Sequence, residues 1–181
     1  MNRMNTPWGT AQTQQTLAEG IISVSTASHG GLKLDRKRNA KMPKCLRIKG
    51  GWYEEDSDWN RVYLVFFAEL GYSEEDKKIQ ACKQTLADWQ PALYEEFYGV
   101  TLSEGQSQQR DRDNWYQENQ HKLLSYSARS QNGMVKVWAA IGGRTGNSLP
   151  KGERQFLVPS DEYDNRTYAF VVDPTRHQEV Q

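Results

Sequence analysis

The 181-residue chain has a length that one domain fills, and its 23 Lys/Arg balance 23 Asp/Glu for a formal net charge of zero. That balance excludes a strongly acidic mimic of DNA and argues against a duplex binder held by overall positive charge. A hydrophobic share of 36% is low, but six Trp, nine Tyr and five Phe predict a core built on aromatic side chains.

Two cysteines, Cys45 and Cys82, make neither a disulfide framework nor a zinc motif, so a reducing cytoplasm is the expected compartment. The polar first fifteen residues and a longest apolar run of strand length, 62–68, predict neither signal peptide nor membrane span. Charge is unevenly placed. Residues 1–50 carry nine Lys/Arg and two Asp/Glu, residues 51–120 six and fifteen, and residues 121–181 eight and six. A basic third followed by an acidic third predicts pairing of the two, or faces offered to different partners.

In chain order, residues 1–16 lack a hydrophobic period, and 1–6 are expected to be a loose end. Ile21, Ile22 and Val24 predict a short strand running into Ser25-Thr26-Ala27-Ser28-His29-Gly30-Gly31, where paired glycines imply a tight turn or a close backbone approach. Asp35 is positioned to cap a basic helix to about Lys41, stopped by Pro43. Residues 61–68 (RVYLVFFA) predict a buried strand on β-branched and aromatic content. Ser73 predicts an N-cap, opening a helix with Ile79, Cys82, Leu86 and Trp89 on one stripe. On that stripe Trp89 would be a core anchor, costing about 3–5 kcal/mol if cut to Ala. Pro91 starts a second helix to Tyr98, with Gly99 as its stop. Residues 111–126 predict a helix, Asn132-Gly133 a turn, and 134–141 a strand adjacent to 61–68. Residues 142–147 predict a loop, and 155–158 and 168–172 short strands, with 175–181 a loose tail. Strands and helices do not alternate, so the expected fold is a single α+β domain, a small mixed or antiparallel sheet with helices packed on it.

Four constellations could carry chemistry. His29 lies beside two glycines and three hydroxyl residues, a setting that suits a general base or an anion-cradling turn; a serine-rich turn in which His29 only caps a strand is the competing reading. Trp52-Tyr53-Glu54-Glu55-Asp56-Ser57-Asp58-Trp59 packs four carboxylates into five residues, which suits metal binding, a raised-pKa acid or the docking of a basic partner; a plain acidic loop tied to the basic stretch 33–49 is the competing reading. The calcium-loop pattern is absent, and no metal or cofactor is expected. The basic stretch 33–49, with Arg36, Arg38 and Lys41, suits phosphates, a partner surface or the acidic segment itself, with a solvated helix face as the competing reading. Gly142-Gly143-Arg144-Thr145-Gly146 lacks the terminal Gly-Lys-Ser/Thr of a phosphate loop and reads as a hairpin connection.

These landmarks together resemble an uncharacterised domain family found among phage, plasmid and other mobile-element genes. The resemblance runs over about residues 6–178. It is carried by Thr6-Pro7-Trp8-Gly9, Ser25 to Gly31, Arg38-Asn39, Met42-Pro43, Trp52 to Trp59, Trp89 with Pro91 to Glu95, Gly142-Gly143-Arg144, Phe156 to Pro159 with Glu162-Tyr163, and Phe170 to Pro174 with Arg176-His177. It implies no established activity. Mobile-element company implies a counter-defence role, of anti-CRISPR or anti-restriction type, in the cytoplasm of a host bacterium.

Two functional readings follow. The first is a binding protein that modulates a host protein or complex through Arg36, Arg38, Lys41, Trp52, Tyr53 and Trp59, since aromatic and Arg residues anchor interfaces. Nucleic acid is not its expected direct partner. The alternative is a small enzyme acting on a nucleotide-derived substrate, with His29 and Glu54, Glu55 or Asp56 at one concave site.

Overall fold

The computed structural model describes residues 4–143 and 152–180. The fold is α+β, and every strand pair among the described residues is antiparallel. Contacts divide the chain into two compact units, Met1–Arg110 and Asp111–Gln181. None of the helices among the described residues is long and apolar enough to cross a membrane.

The first unit opens with a two-stranded ribbon, β1 (Asn5–Thr6) and β2 (Gly9–Thr10), followed by a sheet ordered β3-β4-β5-β6. These strands are Thr13–Ala18, Ile21–Ser25, Gly30–Leu34 and Trp52–Glu54. Only β4 was expected. The Thr/Gln-rich β3 has no apolar alternation because it lies at the edge with most side chains in solvent. Within the polar N-terminal stretch the ribbon starts at Asn5, inside the end expected to be loose, and the four-stranded sheet starts at Thr13.

Helix α1 (Arg36–Lys41) starts where Asp35 predicts, the Asp35 carboxylate accepting from the Arg38 N–H at 2.6 Å. The run 61–68 is not a strand: it lies in and just beyond helix α2 (Trp59–Phe66). A continuous apolar run does not discriminate a buried strand from a buried helix. Here Val62, Leu64 and Phe66 are buried while Tyr63, Val65 and Phe67 also pack on the same core, so apolar residues cover almost the whole circumference.

Helix α3 (Lys77–Trp89) begins after Asp76 rather than after Ser73. The Asp76 carboxylate reaches back to accept from the Ser73 N–H at 2.6 Å. Ile79, Cys82 and Leu86 lie in the core as expected, and burial pushes the Cys82 thiol up to about 11. Trp89 does not: it is 55% exposed, because the helix ends at this residue, past the core its stripe covers. Helix α4 (Pro91–Tyr98) has Pro at its start and Gly99 at φ 67° as its stop.

Helix α5 (Gln108–Glu118) is shorter than expected, and 123–126 belong instead to β7. The second unit is a five-stranded sheet ordered β10-β7-β8-β9-β11. Strands β7 (Leu123–Gln131) and β8 (Met134–Ile141) form a hairpin whose turn, Asn132-Gly133, has φ of 49° and 77°. The neighbours of β8 are β7 and β9 (Arg154–Pro159), not residues 61–68. A short helix, α6 (Ser160–Asp164), follows, then β10 (Val171–Val172). The expected loose tail instead supplies β11 (Gln178–Val180), an edge strand on β9. Val137, Ala139, Phe156 and Val158, with Leu123, Phe170 and Val172, form this unit's core.

Candidate functional site

His29 sits in the turn from β4 to β5. Thr26 builds that turn: its N–H and its hydroxyl both donate to the His29 carbonyl, at 2.7 and 2.8 Å, and its Oγ1 accepts from the His29 N–H at 3.2 Å. The His29 N–H is therefore engaged within the turn, and the expected anion cradle loses that donor. The imidazole is left projecting, with half its surface in solvent.

Glu54 ends β6, opposite Gly31 of β5. Its Oε2 accepts from the Asp56 and Ser57 N–H groups, at 2.7 and 3.0 Å, and from the Ser57 hydroxyl at 3.2 Å. With Oε2 held by this turn, Oε1 faces His29 Nδ1 at 3.8 Å. Glu55 follows on the edge, its N–H donating to the Gly30 carbonyl at 3.1 Å. One ligand-type atom each from His29, Glu54 and Glu55 lies within 4.8 Å of the others. Asp56, the fourth expected member, is exposed and lies outside this group. Asp58 pairs with Arg61 at 2.9 Å.

The two glycines make this approach possible. A Cβ on Gly30 would lie 2.4 Å from Glu55 Oε2, and one on Gly31 would lie 2.3 Å from the Tyr53 carbonyl oxygen and 2.5 Å from the Trp8 ring. Trp8 thus lies directly over the strand beside Glu54. It meets Trp52 edge to face at 5.7 Å, and Lys33 Nζ lies 4.7 Å from the Trp52 centroid. An aromatic wall flanks the carboxylates. Trp8 was not singled out from the sequence as a site residue; the signal for it is the Gly31 whose missing side chain its ring replaces.

The basic stretch does not neutralise this group. Among the described residues no ion pair joins 33–49 to 51–58. Arg38 instead donates to the Glu19 carbonyl at 2.7 Å and to Glu69 at 2.9 Å, and the Lys33 ammonium donates to the Gly50 carbonyl. Of the expected partner-contact residues, Tyr53 is fully buried and offers no surface. Its hydroxyl donates to Asn39 Oδ1 at 2.7 Å and accepts from the Ile48 N–H at 3.2 Å. Trp59 packs on the core and against Tyr63, and Trp52 is half-buried; Arg36 and Lys41 are exposed.

In the second unit, the late landmarks lock a turn. His177, 7% exposed, accepts from the Asp173 N–H at Nδ1 and places Nε2 3.3 Å from Glu162 Oε2. That arrangement fixes the proton on Nε2. The neighbouring His177 and Arg176 side chains hold the Glu162 carboxyl below its ordinary range. Arg144, Thr145 and Gly146 lie outside the described residues.

A family model described as "Domain of unknown function (DUF7007)" matches residues 1–120, a span that contains His29, Glu54, Glu55 and the tryptophan wall. Neither curated proteins nor solved structures give a match.

Proposed function

The chain belongs to the DUF7007 family, and from the one imidazole–carboxylate group in its matched span we propose that it is a small enzyme acting on a nucleotide-derived substrate. The observation that carries the reading is the convergence of His29, Glu54 and Glu55 beside the Trp8–Trp52 wall. In this reading His29 takes a proton from a water or a substrate hydroxyl, and Glu54 orients the imidazole and stabilises its charged form. The 3.8 Å separation tightens when substrate is bound, as catalytic hydrogen bonds do. Trp8 offers a face on which a base stacks. The test is turnover of a panel of nucleotides and nucleotide sugars by the full chain, beside H29A and E54Q. Loss of about 10²–10⁴-fold in kcat/KM with unchanged melting temperature is expected, because that is the usual worth of a general base. An H29A variant as active as the parent refutes it.

A second reading is favoured by Trp89, exposed by 55% at the end of α3. In it the chain is a mobile-element accessory protein that binds a host complex in the bacterial cytoplasm, as a counter-defence inhibitor, with Trp89, Arg36 and Lys41 as contacts. Capture of one stable host complex that is lost in W89A supports this reading; equal capture by W89A removes it.

A further inference from the structure

We infer that His29, Glu54 and Glu55 together bind one divalent first-row cation, of the manganese or zinc class. The inference rests on the catalytic reading of the same site and reassigns its parts: His29 and Glu54 become ligands rather than base and orienting group, and the cation supplies the activation of water that the free imidazole would otherwise supply.

Three observations converge on it. One nitrogen and two carboxylate oxygens, each from a different side chain, lie within 4.8 Å of one another. Around a cation with bonds of about 2.0–2.2 Å, ligand atoms sit about 3–3.5 Å apart. The 3.8 Å between His29 Nδ1 and Glu54 Oε1 is close to that spacing, and the exposed His29 and Glu55 side chains are free to close the remainder. The mixed nitrogen and oxygen set suits manganese or zinc better than calcium, which takes six to eight oxygens.

Charge supplies the second observation. Among the described residues, the Glu55 carboxylate has neither a hydrogen bond nor an ion pair, and no Lys or Arg pairs with Glu54, which faces only the His29 imidazole. Two carboxylates held side by side without a cation repel each other, and the chain spends none of its neighbouring lysines on them. A bound cation removes the repulsion. It also resolves a conflict within the catalytic reading, since bare carboxylates would repel the phosphates of a nucleotide while a cation bridges to them.

The third is construction. Glu54 is held by three hydrogen bonds to its outer oxygen, the kind of support that orients a metal ligand. The place of the Glu55 carboxylate exists only because residue 30 has no Cβ.

Isothermal titration of the full chain with MnCl2, ZnCl2 and MgCl2 tests the inference without any substrate. Expected is one Mn²⁺ or Zn²⁺ per chain, bound more tightly than Mg²⁺. H29A and E55Q should each weaken binding by about 10–100-fold or more, a loss that displacing even an outer partner causes. H121A, at an exposed histidine elsewhere, should bind as the parent does. Circular dichroism checks that each variant is folded. No saturable binding of Mn²⁺ or Zn²⁺, or binding unchanged in both H29A and E55Q, overturns the inference. Binding that depends on both residues, with no turnover of any nucleotide, keeps the cation site and removes the catalytic reading instead.

Discussion

Adjacent glycines at 30 and 31 should respond very differently to the same added methyl group. In Gly31→Ala the new Cβ would lie 2.3 Å from the Tyr53 carbonyl oxygen, which is backbone of the paired strand β6, and 2.5 Å from the Trp8 ring. Neither can swing away without parting β5 from β6 or lifting the tryptophan. Overpacking of this kind costs about 1–3 kcal/mol. For a chain of this size each kcal/mol lowers the melting temperature by about 2–4 °C. In Gly30→Ala the closest atom, at 2.4 Å, is the end of the flexible Glu55 side chain, and the nearest backbone atom, the Val24 carbonyl oxygen, is at 3.0 Å. Glu55 moves and the strand stays, so the cost should be below about 1 kcal/mol, since only a surface side chain is displaced. Thermal unfolding followed by circular dichroism reads both, and cation titration reads the displaced Glu55. G31A should melt well below G30A, while G30A should melt near the parent yet bind Mn²⁺ weakly. Equal melting temperatures for the two variants would refute the packing argument.

Tyr53→Phe should cost about 1 kcal/mol in urea unfolding, because it leaves the part-buried Asn39 Oδ1 and Ile48 N–H short of a partner; an unchanged midpoint would contradict that network. Trp89→Ala should change stability by less than about 0.5 kcal/mol, as surface substitutions do, and a loss of several kcal/mol would restore it to the core. Glu95 is held down to about 2 by the Arg110 side chain and then by the Leu102 N–H. A carboxyl lowered in the folded state stabilises fully above its unfolded value of 4.5 and loses that contribution as pH falls toward about 2. The urea midpoint should therefore fall across that window in the parent and fall less in E95Q; identical profiles would exclude Glu95 as a source.

The α+β class and the turn chemistry were legible in the sequence because single residues decide them. Asp35, Pro91, Gly99 and Asn132-Gly133 each act through their own backbone or side chain, and each sits where its chemistry requires. The run 61–68 was misread because nothing local separates an aromatic, β-branched helix from a strand when both sides are buried; the surrounding core decided it. Strand β3 was missed since an exposed edge needs no apolar alternation, and β11 since two of its three residues are polar and exposed. At the candidate site, His29, Glu54 and Glu55 were legible as residue types beside glycine breaks. The role of Trp8 was not, because it reaches the site from a separate ribbon through a contact with no sequence period. Tyr53 was misassigned to a partner surface because strand alternation turns it inward between Trp52 and Glu54.

The most direct test of the site is a crystal grown with MnCl2 and a nucleoside diphosphate, examined at the manganese absorption edge. An anomalous peak about 2.0–2.2 Å from His29, Glu54 and Glu55 is predicted, bond lengths typical of first-row cations on nitrogen and carboxylate ligands. The diphosphate should meet the cation and the base should lie against Trp8. Manganese and nucleotide both bound elsewhere, with these three side chains unliganded, would contradict the account.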